Sequence, residues 1–129
     1  MTIRIALLAG AAALFATSAL ADDPMANTYA NTVQAKDKTT GATNLLYYNQ
    51  DSSFTAKGTT ADGKSYSYSG SWSLRDGGKT LCLAPVAPQG GGTAPAPSCS
   101  PLAPHQVGDT WTITNDQHQT FDISIIAGR

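Results

Sequence analysis

The segment Lys64 to Leu74, KSYSYSGSWSL, sets the strongest local constraint on this chain. Tyr66, Tyr68, Trp72 and Leu74 share one parity, and Ser65, Ser67, Ser69, Ser71 and Ser73 share the other. A strict two-residue period sends alternate side chains to opposite faces, so this stretch is predicted to be a strand with one apolar face and one hydroxyl-lined face. Gly70 interrupts the aromatic side. A glycine there marks a bulge, a bend, or a place where a neighbouring side chain crosses the strand.

Other segments follow the same rule. Thr110–Thr114 sets Trp111 and Ile113 against three threonines, and Thr120–Ile126 groups Phe121, Ile123 and Ile125. Lys79–Leu83 places Leu81 and Leu83 on one face and Cys82 on the other. Asn44–Asn49 is partly apolar on both faces, and Thr28–Ala35 and Phe54–Lys57 complete the strand set. Turn chemistry separates these runs at Thr39-Thr40-Gly41, Asp51-Ser52-Ser53, Ala61-Asp62-Gly63, Asp76-Gly77-Gly78 and Asn115-Asp116-Gln117. Asp-Gly suits tight hairpin turns, which need positive φ.

The expectation is therefore an all-β chain of seven or eight short strands joined in sequence order. An antiparallel meander this small must close or fold over to bury its aromatic face, and closure also removes exposed edges. The predicted architecture is a small antiparallel β-barrel, with a two-sheet β-sandwich as the alternative. The chain has nine aspartates and no glutamate. Loss of a strong helix former amid abundant Thr, Ser, Gly and Tyr favours strands and turns.

The first 21 residues read as a secretory signal peptide. Arg4 precedes an apolar run from Ile5 to Ala16, followed by Ala19-Leu20-Ala21 as an A-x-A cleavage site. The run is shorter than the ~20 residues of a membrane span, and no cysteine near the cleavage point offers a lipid attachment. The expected mature product, Asp22 to Arg129, is one soluble domain in a periplasm or secreted, without a membrane anchor. It holds nine aspartates against seven cations. That balance lacks the basic surface nucleic acid demands.

Cys82 and Cys99 are the only cysteines. In an oxidising compartment they are expected to pair. A loop of this size gains about 3 kcal/mol from such closure on the chain-entropy model. The Pro/Gly-rich loop assigned to 84–104 carries Pro85, Pro88, Pro95, Pro97, Pro101 and Pro104, with Gly90-Gly91-Gly92 at its centre. If Leu81 and Leu83 face the core, the disulfide belongs on the outer surface, at the base of an exposed, mobile loop. Val86 is the one large apolar residue within the span Pro85 to Pro97, and no Trp, Tyr or Arg lies between the cysteines to anchor a partner. The loop tip therefore reads as a tolerated insertion.

Catalytic, cofactor and metal signals are thin. No G-x-S-x-G, H-E-x-x-H or phosphate-cradling motif occurs. Two thiols and two distant histidines make no recognised zinc spacing. His105 and His118 are expected as exposed loop residues, and Asp109 as a turn residue. The candidate interior residues are Tyr66, Tyr68, Trp72, Trp111 and Phe121, which either fill a small barrel or face a ligand inside it.

Taken together, the signal peptide, Tyr47-Tyr48 before a turn and Phe54, Gly70-Ser71-Trp72 leading to Leu81-Cys82-Leu83, Val107-Gly108-Asp109-Thr110-Trp111 and the Ile-rich final strand resemble small exported lipocalin-like β-barrel proteins of proteobacteria. Ser69-Gly70-Ser71-Trp72-Ser73-Leu74 with a following cysteine also resembles part of periplasmic protease-inhibitor barrels, whose tryptophan strand comes near the mature N-terminus rather than mid-chain. Neither resemblance transfers a functional residue. Two non-enzymatic functions are expected. The first is a module that contacts a protein or envelope component, an envelope hydrolase it inhibits being one form. The second is a carrier of a small apolar ligand inside the barrel. An enzyme using His105 or His118 with a nearby aspartate ranks third.

Overall fold

The computed structural model describes residues 23–88 and 93–129. The leader expected over 1–21, the mature N-terminus expected at Asp22 and the loop-centre glycines Gly90–Gly92 lie outside the described residues.

Eight strands are present: β1 (Thr32–Asp37), β2 (Thr43–Tyr48), β3 (Ser53–Thr59), β4 (Ser65–Arg75), β5 (Thr80–Val86), β6 (Ser98–Pro101), β7 (Thr110–Thr114) and β8 (Thr120–Ile126). Every pair is antiparallel. They form one sheet in the order β6-β5-β4-β3-β2-β1-β8-β7, curled into a nearly closed barrel. β1 and β8 pair along six residues, from Thr32↔Ile126 to Asp37↔Phe121. The break in the wall thus lies between β6 and β7. Asp116 spans it at one end, its N–H donating to the Cys99 carbonyl at 2.9 Å and its Oδ1 accepting from the Cys99 N–H at 2.9 Å.

The two-residue period carries through to the packing. On β4, Trp72 is buried and Tyr66, Tyr68 and Leu74 are half-buried, while the five serines are exposed. Phe54 and Ala56 of β3, Leu46 and Tyr48 of β2, and Ile123 and Ile125 of β8 are buried on the same inner face. Gly70 takes the crossing role. A Cβ there would meet the Ala84 carbonyl oxygen and lie 2.9 Å from Cε1 of Phe54, and β4 runs on without a break.

Three expectations are corrected. The stretch 84–104 is not all loop. β5 continues through Pro85 and Val86, and Ser98–Pro101 is a strand whose Cys99 stands opposite Cys82. β6 pairs only with Thr80 to Leu83, so Pro85 sits where β5 has a single neighbour, and an edge tolerates a residue without an N–H. Second, the segment expected as a strand from Thr28 begins at Thr32. Ala26–Thr28 forms a short 3-10 turn, fixed by the Thr28 hydroxyl donating to the Met25 carbonyl at 2.7 Å. Third, Cys82 does point away from the inward parity of Leu81 and Leu83 and bonds Cys99, but it is only 6% exposed. The disulfide is part of the β5–β6 wall, joining residues directly across the ladder.

Candidate functional site

The inward side chains leave a cavity of about 480 Å³ inside the barrel. Its apolar wall includes Val33, Leu46, Leu81, Ile113, Ile123 and Ile125. Space remains because several inward positions carry small side chains: Ala35, Ala42, Ser98 and Ser100 all line the cavity.

The two ends differ. At the end where β1 begins, the 3-10 turn forms a plug. Met25 is 1% exposed and lines the cavity with Pro24 and Thr28. Beyond the cavity at this end, Trp72 packs edge-on against Tyr48 at 6.4 Å between centroids, and its indole N–H donates to the Asn49 carbonyl at 2.9 Å. At the other end the lining turns polar, with Asp37, Asn44, Tyr66, Asn115, Gln117 and Gln119. The β5–β6 connection leaves from this same end, and its flanks Pro85, Pro95 and Ala96 line the cavity too.

An aromatic series links the ends. Tyr66 and Tyr68 stack with centroids 6.1 Å apart, Phe54 meets Tyr68 edge-on at 6.0 Å, and Tyr48 lies 6.1 Å from Phe54. Gly58 makes room for Tyr66, whose ring occupies the place a Cβ would take. The Tyr66 hydroxyl donates to Oδ1 of Asn44. Burial pushes the Tyr66 phenol up, the Asp37 charge adds to the rise, and the Asn44 bond acts against it. Burial, with a contribution from Tyr66, pushes Tyr68 up to about 12. The fully buried Tyr48 is raised for the same first cause, with Tyr68 adding.

Of the five aromatics singled out from the sequence, Tyr66, Tyr68, Trp111 and Phe121 line the cavity, and Trp72 lies in the packed end. His105 departs from the expectation of an exposed loop residue. Its ring stacks flat on Trp111, 3.5 Å between centroids and 6° between planes, because the chain after β6 folds back over β7. Its Nδ1 is 3.5 Å from Oδ2 of Asp109. That same oxygen accepts from the Gln106 N–H at 2.9 Å, and the Asp109 N–H returns a bond to the Gln106 carbonyl at 3.0 Å. Asp109 therefore closes a turn, and the pair is long for a proton-transfer contact. His118 is exposed at the β7–β8 turn.

Sequence reading passed over Asp37, Asn44 and the two serines of β6. The signal for Asp37 was available: it continues the parity of Val33 and Ala35 by one step. Among the described residues no group of three or more His, Cys, Asp or Glu is arranged to hold a metal ion, and no helix is long and apolar enough to cross a membrane.

Fold and cavity define a small hollow antiparallel barrel with one plugged end and one polar rim. No protein-family model, curated protein or solved structure matches the chain.

Proposed function

We propose that this protein is an exported barrel that binds one small, largely apolar ligand in its interior. The cavity of about 480 Å³ carries the reading. Ligand pockets run from ~300 to ~1,000 Å³, mostly apolar with a few placed polar groups, and an eight-stranded barrel has room for one small ligand when its side chains leave the centre open. The resemblance to exported lipocalin-like barrels supports the same conclusion. The Cys82–Cys99 bond supports an oxidising compartment, hence a processed leader and a periplasmic or secreted location.

The expectation of a protein or envelope partner came from an exported barrel without catalytic groups that carries a long Pro/Gly loop clamped by Cys82 and Cys99. Pro85, Pro95 and Ala96 on its two flanks line the cavity, which favours the interior reading. The deciding experiment titrates the mature protein with uncharged N-phenyl-1-naphthylamine, whose emission rises in apolar surroundings. Saturable one-to-one binding, lost when Ala35→Phe fills the interior of a still-folded barrel, is the expected result. No saturable binding, together with stoichiometric capture of an envelope hydrolase, would replace the interior reading with the partner reading.

A further inference from the structure

Asp37 is 7% exposed, and it is the carboxylate at the polar end of the cavity. Its backbone position explains why it points inward. It ends β1 on the parity of Val33 and Ala35, whereas its neighbours Lys36 and Lys38 are exposed on the opposite parity. Lys38 pairs with Asp122, 3.9 Å away on the outside of the wall. Among the described residues no lysine or arginine nitrogen reaches Asp37 within ion-pair distance, and no other carboxylate lines the cavity. The imidazole among the lining residues, His105, is stacked on Trp111.

The carboxylate is held rather than loose. Oδ1 accepts from the N–H groups of Thr39 at 2.8 Å and Thr40 at 3.1 Å. Oδ2 has no donor among the described residues. No fully buried side-chain oxygen among them lacks a partner, so Oδ2 keeps accessible surface, and Asp37 is a lining residue of the cavity. Among the described residues no lysine or arginine balances this carboxylate, and an ammonium group placed beside Oδ2 would form a charge-assisted hydrogen bond with it. The stacked Tyr66 and Tyr68 rings add a second attraction for a cation, since aromatic faces carry negative quadrupole density.

We infer that the ligand is an organic cation, an apolar or aromatic body bearing a protonated amine, with the ammonium group at Asp37 beside Tyr66 and the body extending into the barrel. This rests on the interior-ligand reading and adds the chemical class.

Three probes of one shape separate the two claims: 2-(1-naphthyl)ethylamine, the corresponding alcohol 2-(1-naphthyl)ethanol, and 1-naphthylacetate. Calorimetry on the mature protein at neutral pH reads their affinities. The amine is expected to bind at least ~10-fold tighter than the alcohol, in line with a charge-assisted hydrogen bond, and the acetate weakest. Asp37→Asn keeps an acceptor for Thr39 and Thr40, and is expected to bring the amine to the level of the alcohol while the alcohol is unchanged. Asp122→Asn, which removes a half-buried carboxylate that does not line the cavity, is expected to leave the amine unaffected. Equal affinity of amine and alcohol for the unmodified protein would overturn the cation assignment and leave interior binding standing. Failure of all three probes to bind would overturn both. If Asp37→Asn does not fold, the amine-to-alcohol ratio of the unmodified protein decides alone.

Discussion

Asp116 and Cys99 exchange two hydrogen bonds, one through the Asp116 backbone and one through its carboxylate, each 2.9 Å long. They join the β7–β8 hairpin to β6, across the one place where the barrel wall has no ladder. Asp116→Ala removes the carboxylate bond and is expected to lower unfolding free energy by about 1 kcal/mol. Asp116→Asn keeps the acceptor and is expected to stay within about 0.5 kcal/mol of the parent. Denaturant midpoints at constant slope are the measurement. Equal losses for the two would place the effect in the turn rather than at the seam.

Trp72 and Ser71 are adjacent in sequence and on opposite faces. Trp72 is 8% exposed and Ser71 is exposed. Trp72→Ala is expected to cost about 3–5 kcal/mol, the range for deleting a large buried aromatic. Ser71→Ala should change stability by less than about 0.5 kcal/mol. Comparable costs from the two substitutions would invert the face assignment of β4.

The interior tyrosines make the barrel sensitive to alkali. Tyr68 is raised from 10.0 to about 12 by burial and by Tyr66. Below pH 10 the phenol is protonated in both states and its contribution is fully present. Between pH 10 and pH 12 the unfolded chain gives up the proton first, so the unfolded state gains and stability falls as pH rises. For Tyr68 alone the slope is at most ~1.4 kcal/mol per pH unit. Stability measured from pH 9 to 12, with phenolate absorbance followed in parallel, reads this directly. Tyr68→Phe is expected to reduce the slope, and an unchanged slope would mean that Tyr68 ionises freely in the folded barrel.

Much of the wall was legible because alternation and turn residues agree. β7 and β8 have the bounds read from the sequence, and β4 differs by one residue at each end. β6 was not legible. Ser98–Pro101 is short, ends in proline and shows no alternation, so only its pairing across Cys82–Cys99 reveals it. β1 was misplaced because the inward Asp37 breaks an apolar pattern that otherwise stops at Ala35. The cavity was hidden for a different reason. Parity tells which side chains face inward but not whether opposite walls touch, and Tyr66, Trp111 and Phe121 would occupy the same parity in a filled barrel. The usable hint is volume: Ala35, Ala42, Ser98 and Ser100 are small residues at inward positions, and they are what leaves room in the centre.

The pairing of β1 with β8 also orders the birth of the molecule. Their partners lie roughly 90 residues apart in the chain, among the most distant contacts the fold makes, and such pairings form late. A chain emerging from its N-terminal side would therefore carry β1 as a bare edge until β8 is available. Bare edges recruit strands from other molecules. While it is unpaired, β1 is where a growing chain of this fold is open to strand addition from a second molecule, so yield depends on how soon β8 arrives as well as on the stability of the finished barrel.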